Sequence, residues 1–534
     1  MNRILEYRDL SAGRLVSLWL RLAWQNQSPH SYWLTRFLIL RLLGLVYFVA
    51  FLSLAQQLRP LIGSKGLLPT DLFLRQAEKF LGSRTTAFLQ LPSIFWMDSS
   101  DAFLVAMSWV GVALSGLVLI GFANGLLLMA LWALYLSFVH IGQDWYSYGW
   151  DIQLLETGFL SVFLCPLLDG RPFPKRPPPA PVIWLFRWLI FRIMFGAGLI
   201  KLRGDACWQD LTCLFYHYET QPIPNPISPL LHFMPPWFHR LGALWNHVNE
   251  LLVPWFAFWP RRPRLIAGFL LVSFQAMLIA SGNLSFLNWL TIIPALACID
   301  DSCWARILPQ GLTQRSLQAG NKAETSPVQQ IVVSCFVLVV AVLSFFPIRN
   351  LASSRQAMNT SFDPLHLVNT YGAFGSVGRE RDEIVFEGSN DKALSAESQW
   401  KAYEFKCKPG DVFRRPCVIS PYHYRLDWQI WFAAMSDPRQ YPWTVHFVWK
   451  LLHNDSEVLS LLAKNPFPDA PPRHIRAELY RYHFAPWRDP AWWSRTRAGP
   501  WLPALSRQDP SLLRFLEAYG WASRPSQENA QTGQ

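Results

Sequence analysis

Repeated long apolar runs constrain the fold of this chain more than any other feature of its sequence. Several stretches approach the roughly 20 residues that a helix needs to cross the hydrocarbon core of a bilayer. They lie near 37–56, 102–122, 124–140, 152–168, 182–200, 241–259, 265–281, 284–299 and 328–348. Hydrophobic residues make up 51% of the chain and charged residues only 16%, which is unlike an average soluble protein. We therefore predict a polytopic α-helical membrane protein with about nine transmembrane helices.

The placement of positive charge predicts the orientation of these helices. The formal net charge is +12, but Lys and Arg cluster before the first run, at 171–176 and at 261–264, next to apolar runs. Loops rich in Lys and Arg tend to stay on the cytoplasmic side. If the N-terminus is cytoplasmic, these clusters are cytoplasmic and the C-terminal region lies on the outer side of the membrane. The long loop 58–101 is an exception to the rule, because it is basic and yet falls on the outer side. We expect the lipid bilayer, not nucleic acid, to be the partner of this charge.

A change in composition after Pro347 predicts a second, extramembrane domain. Residues 383–387 and 400–407 alternate between apolar and polar side chains, which indicates half-buried strands. Residues 443–452 and 455–463 have a helical pattern, with Asp455 as an N-cap. We expect a mixed, β-rich domain whose first half carries most of the strands. The predicted parts are an amphipathic N-terminal segment (1–32), a transmembrane bundle (33–300), a flexible linker (301–327), a last transmembrane helix (328–348), a C-terminal domain (349–522) and a disordered tail (523–534).

The spacing of the cysteines predicts two disulfides. Cys407 and Cys417 flank a turn, and Cys207 and Cys213 share the loop after the fifth run. The predicted topology puts both pairs outside, in an oxidising compartment such as the ER lumen or the bacterial periplasm. His and Cys residues do not have zinc-site spacing, and we predict neither a metal nor a cofactor.

Polar residues within the predicted bundle are the first candidates for a functional site, because such residues are costly in a membrane. With a rise of about 1.5 Å per residue, Glu156, Arg192 and Glu250 reach a similar depth, below Asp151 and Lys201. Asn246 and His247 share a helix face with Glu250. Two interpretations stay open: an ion-pair network that locks the helices, or a polar cavity that faces outward.

A second set of candidates lies in the loop that follows the fifth apolar run. The segment Gly196–Cys213 leads from a membrane-grade helix directly into charged residues, and 215–226 continues with a highly specific string. The side chains of this loop that could act on a ligand or a client are Asp205, Trp208, Asp210, His217 and Glu219.

Several strings resemble the lipase maturation factors. They are Tyr32–Arg36, Gly63–Pro69, Trp145–Glu156, Gly196–Pro226, Ser281–Leu290, Val368–Gly375 and Tyr403–Trp431, spread in order over both domains. The resemblance implies a polytopic ER membrane protein, or an inner-membrane protein in bacteria, that supports folding and assembly of secreted homodimeric lipases. It also implies a lumenal or periplasmic C-terminal domain. The abundance of Arg over Lys, a short N-terminus and the lack of a recognisable ER-retrieval tail favour a bacterial member.

A shorter stretch, Gly198–Trp208 following Trp145–Gly149, is similar to vitamin K-dependent gamma-carboxylases. That similarity implies a role for Lys201 as a base, because a Lys at the matching position serves in base chemistry there. The His that carboxylases use near Trp145–Gly149 has no counterpart, and His140 is the nearest candidate.

Three functional hypotheses follow from these patterns. The first is a membrane-anchored, chaperone-like maturation factor that presents the 201–240 loop and the C-terminal domain to secreted clients, by resemblance lipases. The second is an integral membrane enzyme with an outward-facing cavity, in which Lys201→Ala would abolish activity. The third is a transporter, although no broken helices recur in two halves of the chain.

Overall fold

A computed structural model describes residues 32–521 of the chain. The predicted N-terminal segment, apart from Tyr32, and the predicted C-terminal tail lie outside these residues. The α-helices of the described part are, in chain order, α1 (Trp33–Ile62), α2 (Thr70–Leu81), α3 (Arg84–Gln90), α4 (Asp101–Ile120), α5 (Gly125–Ile141), α6 (Gly149–Leu164), α7 (Ala180–Arg203), α8 (Ala206–Gln209), α9 (Leu214–Thr220), α10 (Ser228–His232), α11 (Pro236–His247), α12 (Arg261–Ser281), α13 (Leu287–Leu296), α14 (Asp301–Trp304), α15 (Gln310–Asn321), α16 (Pro327–Leu343), α17 (Phe345–Ala352), α18 (Arg425–Ala434), α19 (Trp443–Leu452), α20 (Ser456–Leu459) and α21 (Pro510–Tyr519).

Within residues 32–521, five helices are long and apolar enough to cross a membrane. They are α1, α4, α7, α12 and the α16–α17 segment, Pro327–Ala352, and the shorter α5 and α13 are also apolar. The chain is therefore an integral membrane protein, but the predicted count of nine spans is not confirmed.

The apolar run 241–259 does not form one continuous α-helix. Helix α11 ends at His247 and leads into a π-helical turn, Val248–Leu252, and then a 3₁₀ segment, Val253–Phe258. Pro254 explains the change, because a proline inside an α-helix removes a backbone donor and clashes with the preceding turn. The average hydropathy of residues 241–259 does not reveal this break.

Helices α1 and α4 pack closely near Gly44. A Cβ at Gly44 would lie 2.7 Å from the backbone nitrogen of Leu119, so only glycine allows this approach. Small residues at helix contacts are typical of membrane bundles, where packing rather than hydrophobicity drives association.

One end of the bundle is closed by residues that follow α13. The carboxylate of Asp301 accepts hydrogen bonds from the backbone amides of Trp33 and Leu34, at 2.7 and 2.9 Å, and so caps α1. Lys175 pairs with Glu324 at 2.9 Å. The segment 301–327, which the sequence predicts as a flexible linker, instead contains α14 and α15.

The C-terminal domain packs against the opposite end of the bundle. Its strands are β1 (Arg381–Ser389), β2 (Lys401–Ala402), β3 (Glu404–Phe405), β4 (Leu462–Lys464), β5 (His474–Phe484) and β6 (Trp493–Ser506). An antiparallel four-stranded sheet has the order β2-β1-β5-β6, and β3 pairs with β4. The prediction of a strand-rich first half is wrong, because the two longest strands, β5 and β6, lie in the second half.

Two contacts show how this domain is held. Inside it, α19 packs on the sheet, with the rings of Phe386 and Phe447 5.0 Å apart. Between the domains, Ser53 and Gln57 near the end of α1 donate hydrogen bonds to the carbonyl of His423, at 2.9 and 2.7 Å. The end of α1 therefore marks the domain interface.

Candidate functional site

A cavity of about 840 Å³ lies where the two domains meet. Its walls come from α6, α7 and α11–α13, from the 206–231 loop, and from two C-terminal segments, 358–378 and 428–435. Most of the lining is apolar, but Lys201, His217, Asn246 and Glu250 are among the lining residues. The structure thus brings these four sequence candidates to one cavity.

Lys201 is held in a buried ion pair with Glu250. The ammonium also donates to the side-chain oxygen of Asn246 at 3.2 Å, and the Asn246 amide donates to Glu250 at 2.9 Å. Asn246 and Glu250 lie one helical turn apart, as the sequence predicts. The indole of Trp208 contributes a further contact, with its ring centre 4.9 Å from the Lys201 nitrogen.

Glu156 pairs with Arg192 between α6 and α7. Both side chains are buried, and residues of the C-terminal domain complete the cluster. The carboxylate accepts hydrogen bonds from the Tyr371 hydroxyl at 2.7 Å and from the backbone N–H of Asn369 at 3.0 Å, and Arg192 donates to the backbone carbonyl of Asn369 at 2.7 Å. The predicted meeting of Glu156 with Arg192 therefore occurs, whereas Glu250 pairs with Lys201 instead.

The close approach of the 368–375 segment to α7 depends on a glycine. A Cβ at Gly196 would lie 2.6 Å from the carbonyl oxygen of Tyr371, so a larger residue would push the segment away. This glycine lets Tyr371 reach Glu156.

Asp151 forms a third buried pair, with Arg425 of α18. The two groups lie 3.2 Å apart and both are fully buried. The Tyr135 hydroxyl donates to the same carboxylate at 2.6 Å, and the Arg425 guanidinium lies 3.5 Å from the centre of the Tyr146 ring. Sequence reasoning missed Arg425, Asn369 and Tyr371 as partners. All three lie inside two of the strings that carry the family resemblance, 368–375 and 403–431. Those strings were the one sequence signal that could have indicated these residues.

The loop candidates have separate structural contacts. The carboxylate of Asp205 accepts a hydrogen bond from the Cys207 amide at 3.0 Å, which caps α8, and pairs with Arg379 at 3.1 Å. The Trp208 indole donates to the Phe374 carbonyl at 2.8 Å, and a ring nitrogen of His247 lies 2.9 Å from the Trp208 carbonyl.

Glu219 connects the loop to the sheet, whereas Asp210 does not join any of these clusters. The Glu219 carboxylate accepts a hydrogen bond from the Phe484 amide at 2.7 Å and lies 3.1 Å from a ring nitrogen of His483. Asp210 is exposed. His217 is buried in the cavity wall, and burial together with the nearby Lys201 lowers its pKa to about 4.

Both predicted disulfides are confirmed. Cys207 and Cys213 are joined with their Cα atoms 4.8 Å apart, and Cys407 and Cys417 with theirs 5.7 Å apart. Within residues 32–521 the one group with metal-ligand types close together is Asp205, Cys207 and Cys213. Its two sulfurs are bonded to each other and so do not offer the thiolates that a metal would bind.

This arrangement favours the structural interpretation of the buried charges. Each of the three carboxylates has its own cation. Among the described residues, Lys201 and Glu250 are the two charged side chains that line the cavity, and they pair with each other, so the cavity wall carries no net charge. A neutral, mostly apolar cavity suits an apolar ligand or protein segment better than it suits acid–base chemistry.

Comparison with known proteins gives matches along both domains. The profile of the lipase maturation factor transmembrane domain matches residues 34–306, and that of the lipase maturation factor C-terminal domain matches 367–503. The chain is 50% identical over 519 residues to "Lipase maturation factor 1" of Mus musculus, covering 92% of this chain and 90% of the mouse protein. The human protein of that name is 49% identical over 516 residues, with 92% and 91% covered.

"Lipase maturation factor 2" of Rattus norvegicus is a more distant relative. It is 29% identical over 605 residues, covering 90% of this chain and 84% of the rat protein. No solved structure matches the chain.

Proposed function

Because the chain belongs to the lipase maturation factor family, we propose that it is a membrane-anchored factor that assists the folding and assembly of secreted lipases. The observation that carries this proposal is the 50% identity to the mouse relative over 92% of the chain. The similarity extends over both domains, so the proposal does not rest on a membrane anchor alone.

The proposed client-binding surface is a set of exposed apolar side chains around the turn between β5 and β6. We call it the hairpin surface, and it consists of Phe233, Phe413, Val418 and Trp487, whose side chains are 50, 65, 74 and 76% exposed. Exposed apolar side chains that are grouped in this way suit protein–protein contact.

Observed contacts link the loops that carry these residues. The backbone amide of Trp492, in the turn after β5, donates to the Val412 carbonyl at 2.9 Å. The ring of His232 lies 5.4 Å from that of Phe484, which places the Phe233 loop beside the end of β5. Val418 follows Cys417 of the second disulfide. The loops that carry Phe233, Phe413 and Trp487 are therefore neighbours, with Phe233 contributed by the transmembrane domain and the other residues by the C-terminal domain.

We further propose that the hairpin surface lies in the ER lumen, or in the periplasm of a bacterial host. Both disulfides lie at the end of the bundle that contacts the C-terminal domain: Cys207–Cys213 in the loop after α7, and Cys407–Cys417 in the C-terminal domain itself. Disulfides persist in such oxidising compartments, where secreted lipases also fold.

The test is co-expression with a secreted lipase in cells that lack their own maturation factor. We expect the wild-type chain to raise the specific activity of the secreted lipase. The double variant Phe413→Ser/Trp487→Ser should lose most of that increase, because its client-contact area is reduced.

The matched control is Ile307→Ser/Leu317→Ser, which changes two side chains of similar exposure, 67 and 62%, at the opposite end of the bundle. It should behave as wild type. A wild-type chain that leaves lipase activity unchanged would overturn the proposed function. Equal activity of the two double variants would overturn only the hairpin surface.

A further inference from the structure

Uncharged polar side chains form one region of the cavity wall within the membrane domain. The Gln153 amide donates to the Thr291 hydroxyl at 3.1 Å, and the Asn288 amide donates to the Gln275 oxygen at 2.8 Å. All four side chains are buried and all four line the cavity. Gln275 lies six residues before the end of α12, which is about 9 Å along the helix axis. Polar groups at such depth are costly unless they have hydrogen-bond partners, and these four side chains provide part of that bonding for one another.

The side-chain amide of Gln275 can donate stronger hydrogen bonds than it does in this structure. Its amide nitrogen donates to the thioether sulfur of Met194 at 3.5 Å. A thioether is a weak acceptor, and a side-chain amide has two donor hydrogens. A hydroxyl or ester oxygen in the cavity would be a better partner for this amide.

Three apolar residues of the cavity lining are also exposed at the surface of the protein. They are Leu241, Trp245 and Met277, which are 56, 37 and 44% exposed. They lie on α11 and α12, and α12 is one of the candidate membrane spans. An apolar molecule could therefore enter sideways from the bilayer, between α11 and α12, without crossing water.

From these features we propose that the cavity binds one neutral single-chain lipid of the monoacylglycerol class. The hydroxyl and ester oxygens would meet the amides of Gln275 and Asn288, and the alkyl chain would lie along the apolar wall near Trp428 and Phe432. The volume of about 840 Å³ is within the range of single small-molecule sites, about 300–1,000 Å³. The charge of the cavity wall favours a neutral headgroup over a fatty-acid carboxylate. A carboxylate would need a cation, and the ammonium of Lys201 in the cavity wall is already paired with Glu250. This inference does not depend on the maturation role.

The test uses the full-length protein in nanodiscs that contain a photoactivatable, alkyne-tagged monoacylglycerol. We expect saturable labelling of one site, mapped by mass spectrometry to α11, α12 and residues 428–435. Unlabelled monooleoylglycerol should compete about tenfold better than oleate, because only the neutral lipid satisfies the amides without bringing an unpaired charge.

Variants locate the site and separate binding from misfolding. Gln275→Leu should weaken labelling by up to about tenfold, the effect of one lost hydrogen bond, while keeping the volume of the side chain. Ala280 lines the cavity, so the larger side chain of Ala280→Phe should block it. Ala276 lies one turn away on α12 and is not part of the lining, so Ala276→Phe should be labelled as strongly as the wild type. A monodisperse elution profile and intact disulfides would show that each variant is folded.

Four outcomes would overturn the proposal. The first three are labelling that does not saturate, competition by oleate as strong as by monooleoylglycerol, and equal labelling of the Ala280→Phe and Ala276→Phe variants. Displacement of the probe by an apolar client peptide but not by monooleoylglycerol would likewise assign the cavity to protein and not to lipid.

Discussion

At the scale of single residues, the buried charges link the two domains. Removing a charge from water costs several kcal/mol, and a buried ion is tolerated only with a partner and further hydrogen bonds. Two of the three paired carboxylates of the candidate site obtain such partners from the C-terminal domain: Asp151 from Arg425, and Glu156 from Asn369 and Tyr371. These two carboxylates therefore have all their partners only when the C-terminal domain is packed against the bundle.

The pair of Lys201 and Glu250 allows the structural role of a buried ion pair to be tested within the transmembrane domain. Lys201→Met leaves the Glu250 carboxylate buried without its cation, and we expect a loss of about 3–5 kcal/mol in the free energy of unfolding. The double variant Lys201→Met/Glu250→Leu should recover most of that loss, because two apolar side chains of similar volume need no compensation. Thermal unfolding in detergent of the wild type, of the double variant and of both single variants, Lys201→Met and Glu250→Leu, gives the coupling energy.

Additive losses in this double-mutant cycle would contradict the structural role of the pair. The same double variant also separates a structural Lys201 from a catalytic one. If it folds and still raises lipase activity, base chemistry at Lys201 is not needed for maturation.

At the scale of elements, the sequence predicts well what depends on local pattern. The period of apolar residues locates Trp443–Leu452 correctly, and Asp455 caps α20 through the amides of Glu457 and Val458 as its position predicts. The helix predicted over 455–463 is, however, a single turn that ends at Leu459, and Leu462 begins β4.

The sequence-based expectations include neither the break after His247 nor the long strands β5 and β6. Hydropathy averaged over a window of residues does not reveal the effect of Pro254. Residues 475–479 of β5 do alternate between apolar and polar side chains and could have indicated that strand, whereas Gly499 and Pro500 interrupt the pattern of β6.

The candidate site shows the same limit. Depth along a helix predicts that Glu156 and Arg192 meet, because the sequence places them on consecutive apolar runs. The partner of Asp151, however, is Arg425, which is 274 positions away in the chain. Only the tertiary fold brings such residues together, so periodicity and spacing do not identify the pair.

The Cys407–Cys417 disulfide gives a prediction at this scale. It closes a loop of ten residues beside the hairpin surface, and a loop of that length contributes about 3 kcal/mol by chain entropy. Cys407→Ser/Cys417→Ser should therefore lower the thermal midpoint and reduce lipase maturation. The control Cys303→Ser/Cys335→Ser removes two unpaired cysteines and should change neither. An unchanged midpoint in the first variant would show that the bond does not stabilise the domain.

At the scale of the whole molecule, buried neutral histidines predict a dependence on pH. Burial lowers the pKa of His217 and His446 to about 4, that of His366 to about 3, and that of His423 well below its usual value. The unfolded chain takes up protons near pH 6.5, which the folded chain does not. Stability is thus fully present above pH 6.5 and falls as the pH drops toward 4, by about 1 kcal/mol per histidine between pH 7.5 and 5.5.

Thermal unfolding at pH 7.5, 6.5 and 5.5 measures this slope. His446→Gln keeps a donor for the Leu67 carbonyl, which His446 contacts at 2.9 Å, and removes one titrating group. Its stability should fall less steeply with acid than that of the wild type. Identical slopes would show that His446 takes up its proton in the folded state.

The orientation of the molecule is the last prediction, and it follows from the chemistry at the two ends of the bundle. The disulfides and the C-terminal domain share one end, whereas the free thiol of Cys303 lies at the other end, two residues after the cap of α1. If the first end is lumenal, a membrane-impermeant maleimide added to sealed ER microsomes should label Cys303 without detergent, and Cys303→Ser should remove the signal. Protease added outside should leave a fragment that contains the whole C-terminal domain. Digestion of that domain before lysis, with Cys303 labelled only after lysis, would reverse the orientation. It would also separate the hairpin surface from any client that folds in the lumen.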